Sequence, residues 1–178
     1  MIVPPDNISP PDLARLAVES FIGNAGMVLP PPNPVGVLAE RSGAFVTLRE
    51  LSGSLRGCIG TIEPVCLTVA AEIIQNAISA ATSDPRFPRV RRLELSNLTY
   101  GVDVLSEAES VDGFDALDPA IFGVTIEARD GRRGLLLPCI NGIDTVDQQW
   151  KAVHAKARIA IGEAVSIKRF TVIRFGKE

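Results

Sequence analysis

Long apolar runs are missing from this chain of 178 residues. No stretch approaches the roughly 20 apolar residues that a bilayer-spanning helix requires, so a membrane is not an expected partner. The start, Met1-Ile2-Val3-Pro4-Pro5-Asp6, lacks the basic residues and continuous apolar core of a secretory signal. Cysteine is scarce as well. Cys58, Cys66 and Cys139 are odd in number and widely spaced, which excludes a disulfide framework and points to a reducing compartment. A cytoplasmic location is therefore expected, and the sequons Asn7-Ile8-Ser9 and Asn97-Leu98-Thr99 are chance matches. No excess of positive charge exists either, because the net charge is −3. A polyanion such as RNA thus gains no general attraction, although a local basic patch is not excluded.

What is present is an ordinary globular composition, 46% apolar and 22% charged, with enough length for one domain or a main domain with a smaller lobe. Ser9, Pro10 and Asp12 open a helix as cap, first residue and first-turn acid, and the apolar spacing Leu13, Leu16, Ala17, Phe21 continues it to a stop at Gly23 to Gly26. That Gly-Asn-Ala-Gly stop is a helix cap and not a phosphate loop, since no strand precedes it. Pro30 to Pro34 is an extended surface connection, with a proline-recognition ligand as the alternative use. Residues 43–51 and 54–62 read as a hairpin. Residues 65–81 read as an alanine-rich buried helix ended by Asp84-Pro85-Arg86-Phe87-Pro88. A strand over 98–105, an acidic surface loop over 107–118, a hairpin over 122–137 turning at Asp130-Gly131, a helix capped by Asp144 and a long final strand over 165–175 complete the order αββαβββαβ. The fold class is α+β, a mainly antiparallel sheet flanked by helices.

Within the first hairpin, Leu55-Arg56-Gly57-Cys58-Ile59-Gly60 puts a guanidinium, a thiol and two glycines into six residues. Strand alternation places Arg56, Cys58 and Gly60 on one face. A guanidinium beside a thiol favours the reactive thiolate form, and glycines in a strand mark a bulge or the close approach of a ligand or another backbone. A nucleophilic cysteine, a ligand-binding floor and a tight strand crossing under a helix all satisfy this pattern. Asn76, inside the apolar helix, needs hydrogen-bond partners, for which the Asp84 turn is the expected source. Asp84 can brace that turn and pair with Arg86 or Arg56. If Asp84, Arg86 and Phe87 approach the hexapeptide, the site suits an anionic or carbonyl-bearing small ligand. His154, the only histidine, is the only possible imidazole partner for Cys58, but its place beside an apolar stripe reads as structural. No metal and no cofactor are expected, because no two ligands have the short spacing of a zinc site. Phe87 to Arg92 is the single basic cluster, and RNA binding there competes with a solvated face.

The hexapeptide resembles the signature of the AMMECR domain family, which occurs in archaea, bacteria and eukaryotes. Phe45-Val46-Thr47-Leu48, Asn76-Ala77, Asp84 to Pro88, Val104-Leu105-Ser106 and Arg133 to Pro138 follow the family's order, so the resemblance covers roughly residues 13–175. It implies a single domain with a short N-terminal arm over 1–12, a main lobe and a smaller lobe, and a site at the hexapeptide where they meet. It supplies no established reaction. It also implies a Memo-like or radical SAM protein as a partner. Cys139 departs from the glutamine or aspartate that many relatives carry after Leu-Pro, so no role is transferred to it. Three functions are thus open. The first is a small-molecule enzyme or ligand-binding subunit, with Cys58 and Arg56 catalytic and Gly57, Gly60, Asn76, Asp84, Arg86 and Phe87 binding the ligand. The others are a non-catalytic docking module and RNA binding through residues 86–92.

Overall fold

Ser9 opens the first helix as the sequence indicates, its Oγ accepting from the Asp12 N–H, with proline in the first turn. In order, the elements are α1 (Pro10–Ile22), β1 (Ala44–Glu50), β2 (Leu55–Gly60), α2 (Val69–Thr82), β3 (Leu98–Leu105), β4 (Glu109–Val111), β5 (Gly123–Ala128), β6 (Arg133–Leu136), α3 (Val146–Ala157), β7 (Val165–Phe170) and β8 (Val172–Phe175). The protein is described over residues 1–176 by a computed structural model. The fold is α+β with two antiparallel sheets of four strands, ordered β2-β1-β3-β8 and β4-β7-β5-β6. The chain divides into two units, Met1–Val104 with the residues from Ile173 onward, and Leu105–Val172.

In the first unit, β1 buries Ala44, Val46 and Leu48 and β3 buries Leu98, Tyr100, Val102 and Val104, the period-two pattern of a sheet covered on one face. Their cover is α1, through Leu13, Ala14, Ala17 and Val18, and α2, through Ala70, Ile73, Ala77 and Ala80. The small residues of α2 let its backbone come close to β2. A Cβ on Gly57 would lie 2.3 Å from the Ala80 carbonyl oxygen, so glycine here is what the helix crossing requires. The N-terminal residues are tied into this unit, because Ile2 donates to the Met27 carbonyl and accepts from Leu29 N–H. In the second unit, α3 lays Val153 and Ala157 on Val124, Ile126, Ala128 and Leu136 of the β5–β6 hairpin, whose turn places Gly131 at φ +85°.

Several expectations need correction. Residues 165–175 do not form one long strand: β7 ends at Phe170 and the chain resumes as β8 in the other sheet. The acidic run is not all loop: Glu109–Val111 forms β4 against β7, with Arg169 pairing Glu109. Helix α2 begins at Val69, not Val65. Its cap is Thr68, and the N–H groups of Val65 and Cys66 turn onto the Glu72 carboxylate instead of entering the helix. Thr145, not Asp144, caps α3, in a reciprocal box with Gln148.

Candidate functional site

The first unit's sheet ends at β2, so the outer main-chain groups of that strand have no strand beside them. At Cys58 their place is taken by side chains. The Cys58 N–H donates to Asp84 Oδ2 at 2.8 Å, and Arg86 Nη2 donates to the Cys58 carbonyl at 3.4 Å. Asp84 is buried, and the other hydrogen bonds to its carboxylate all come from Arg86: backbone N–H and Nε to Oδ1, both at 3.0 Å, and Nη2 to Oδ2 at 2.7 Å. The Asp-Pro-Arg turn therefore presents one acceptor and one donor to the strand edge, as a neighbouring backbone would. Hydrogen bonds from Arg86, then those from the Cys58 and Arg86 N–H groups, hold the Asp84 carboxyl far below the usual carboxylate range against the opposing effect of burial. Asp84 in turn raises the Arg86 pKa, and Cys58 acts in the same direction.

On the face of the sheet away from the helices, Cys58 stands opposite Thr47 and Thr47 opposite Gly101. The Thr47 hydroxyl donates to Cys58 Sγ at 3.3 Å, and the thiol is half-buried. Gly101 differs from the hexapeptide glycines in having room around it. A Cβ there would meet nothing closer than 3.8 Å, whereas on Gly60 it would lie 2.2 Å from the Phe45 ring. The row Cys58, Thr47, Gly101 is thus a strip without a large side chain.

Arg56 does not follow the alternation that would put it in this row. Leu48 pairs with Gly57 and Arg49 with Leu55, so Arg56 is the extra residue of a β-bulge. Its Nε donates to Glu94 Oε1 at 2.9 Å and its guanidinium lies 6.0 Å from the Phe87 ring, while its side chain is 8% exposed. Glu94 Oε2 accepts from the Arg91 N–H and Nε. Arg56, ahead of Arg91, lowers the Glu94 pKa. Arg56 therefore pairs with Glu94, and Asp84 pairs with Arg86 alone. Arg86 still links the two groups, since its guanidinium is 5.5 Å from the same Phe87 ring.

Asn76 does not reach the Asp84 turn. Its Nδ2 donates to the Ala44 carbonyl at 2.9 Å and to Thr61 Oγ1 at 3.1 Å, tying α2 to the ends of β1 and β2. Thr61 donates in turn to Glu72, a carboxylate with no exposure. His154 is buried in the second unit, with Nδ1 3.3 Å from the Ile159 carbonyl, Nε2 buried without a hydrogen-bond partner among the described residues and its ring edge-on to Trp150. Cys139 is exposed in left-handed backbone at φ +56°, its Sγ donating to the Ala120 carbonyl. In the basic run, Arg89 lies over Phe21 at 5.6 Å, while Arg91 and Arg92 are exposed.

Sequence reasoning passed over Thr47, Gly101, Glu72 and Glu94. Thr47 and Gly101 carry no signal until the strand register is known, because register alone sets them beside Cys58. Glu94 carries no capping signal either, because Arg91 three residues before it has no side-chain acceptor; only the Arg91 N–H to Glu94 half of a cap forms.

A family model described as AMMECR1 matches residues 11–177. A protein of Thermotoga maritima is 44% identical over 160 residues, 89% of this chain and 91% of the relative. A protein of Clostridium acetobutylicum is 44% identical over 134 residues, covering 75% of this chain but 28% of that longer relative. Among solved structures, an uncharacterised protein from Pyrococcus horikoshii superposes with a TM-score of 0.85 at 30% identity, covering 95% of this chain and 90% of that one.

Proposed function

The chain belongs to the AMMECR1 family, and from that premise we propose that it is a small-molecule enzyme or ligand-binding subunit working at Cys58. The observation that carries this reading is the half-buried Cys58 thiol, which accepts from Thr47 on an open strip of sheet next to a guanidinium that Asp84 immobilises. A hydroxyl donor and a fixed cation suit a sulfur or substrate oxygen that gains negative charge, and fixed donors cost no reorganisation when it does. Gly101 supports the same reading, since neither turn geometry nor packing demands a glycine there. Asp84 acts by position: it orients Arg86 and the strand edge without an oxygen to spare for a substrate.

Iodoacetamide alkylation of Cys58, followed by mass spectrometry in a Cys66→Ser, Cys139→Ser background, tests the reading. The expected result is that Arg86→Gln and Thr47→Val each slow alkylation severalfold between about pH 6 and 8. A screen of metabolite fractions by thermal shift should yield a ligand that protects Cys58 and is lost in Cys58→Ala. Rates equal to those of a small free thiol in all three proteins, with no protecting ligand, would remove Cys58 as the site.

One observation favours the second reading, a docking module. In the Clostridium acetobutylicum relative, the matched segment is 28% of a longer chain, as expected of a domain that serves other domains. Retention of this protein on an immobilised Memo-like or radical SAM protein, abolished by Arg56→Glu, would support it. Retention unaffected by that change would take the hexapeptide out of the interface.

A further inference from the structure

Arg56 is a cation nine-tenths buried that uses only part of its fork. Nε goes to Glu94, and among the described residues nothing accepts from Nη1 or Nη2. Those nitrogens are nevertheless not sealed in, since no Arg56 atom is among the buried side-chain atoms left without a partner. Arg86 repeats the arrangement. Nε and Nη2 are taken by Asp84 and the Cys58 carbonyl, the Cys58 side chain also acts on the guanidinium, Nη1 donates to no oxygen among the described residues, and the side chain is 54% exposed. Both guanidiniums lie against one ring, Phe87, at 6.0 and 5.5 Å. The ring's negative face lets two like charges share a small space.

The carboxylates nearby leave nothing for these nitrogens. Both oxygens of Asp84 and both of Glu94 are already hydrogen-bonded. Three guanidiniums, Arg56, Arg86 and Arg91, stand against these two carboxylates, and Arg89 and Arg92 add surface charge of the same sign in a chain whose net charge is −3. A locally positive cluster with outward donors, held by buried partners, is preorganised for an oxyanion.

The geometry points to an oxyanion subsite made by Arg56 and Arg86 around Phe87, which takes the phosphate or carboxylate group of a small ligand. It rests on the reading of Cys58 as a small-molecule site, for which it supplies the charge class of the ligand: an anion anchored at Phe87, with its reacting part toward the thiol. The buried member fixes the preference for a small ligand. A polyanion would engage the exposed Arg89, Arg91 and Arg92 first and would need no cation with 8% side-chain exposure.

The test is an NMR titration of protein labelled with 15N-arginine, with inorganic phosphate and acetate as separate probes at constant ionic strength. The Nε signals of Arg56 and Arg86 should shift saturably with one common dissociation constant, and that of Arg92 should not. Arg56→Lys keeps the charge and the fold but loses the fork, and should weaken binding at least about tenfold. Arg92→Gln should leave it unchanged. A larger response to phosphate than to acetate assigns a phosphorylated ligand, and the reverse a carboxylated one. Linear shifts that are equal at Arg92, or that chloride reproduces, would overturn the proposal. The titration is repeated in Cys58→Ala. Binding that persists there keeps the subsite even if the thiol proves inert, whereas a parent whose Cys58 is reactive but whose Arg56 and Arg86 signals show no saturable shift would sink the subsite alone.

Discussion

Asp84 is the residue on which most of the site's geometry depends, because one carboxylate holds both the strand edge and the Arg86 guanidinium. Asp84→Asn keeps the shape but sets an amide N–H against donors whichever way it turns, either the Cys58 N–H and Arg86 Nη2 or the Arg86 N–H and Nε. A loss of about 2 kcal/mol in unfolding free energy is expected in urea denaturation. The effect should depend on pH in a defined way. The folded chain lowers the Asp84 pKa far below its ordinary 3.8. Its stabilisation is therefore complete above that value and is lost as the pH falls through the depressed pKa. The gap between the parent and Asp84→Asn should be constant from about pH 7 to 5 and should shrink below about pH 4. A gap that stays constant into acid would mean that the carboxylate charge is not what holds the edge. Glu94, lowered by Arg56, adds to acid sensitivity in the same direction.

Among the elements, β2 and α2 cross so closely at Gly57 that no side chain fits between them. Gly57→Ala would force its Cβ onto the Ala80 carbonyl, a backbone atom that cannot step aside. A loss of about 1–3 kcal/mol is expected from thermal or urea unfolding. Cys58 should become more accessible to alkylation in the folded protein, although no group that touches it has changed. The loop between β2 and α2 has a different support. Glu72 collects the Thr61 hydroxyl and the N–H groups of Val65 and Cys66. In Glu72→Ala those two amides should lose their protection in hydrogen exchange while the centre of α2 keeps its own. Equal loss along α2 would instead show that the carboxylate supports the whole helix.

Across the whole molecule the three thiols occupy three environments, and their order of reaction reports on all of them. Cys139 is exposed, Cys58 is half-buried beside Thr47, and Cys66 lies at the Glu72 loop, where burial first and Glu72 second raise its pKa above the ordinary 9.0. In the native protein near pH 8, Cys139 should be alkylated before Cys66, and unfolding should abolish the difference. A Cys66 that reacts as fast as Cys139 would contradict the closed loop around Glu72. No helix among the described residues is long and apolar enough to cross a membrane.

Local chemistry made much of this protein legible in its sequence. Ser9 and Pro10 start α1, Asp130-Gly131 turns the β5–β6 hairpin, and the alternation of residues 98–105 draws β3, because each depends on neighbours along the chain. The hexapeptide and the Asp84 turn stood out for the same reason, being unusual local combinations. What the sequence left undecided concerns pairings over long separations. Whether residues 165–175 form one strand or two in different sheets, which acid Arg56 meets 38 positions away, and where Asn76 sends its amide 32 positions away are settled by which surfaces pack. A single bulge was enough to take Arg56 out of the row of Cys58, and strand register alone put Thr47 and Gly101 into it. Alternation is a property of one strand, whereas a site is a property of several, and only the tertiary structure brings those together.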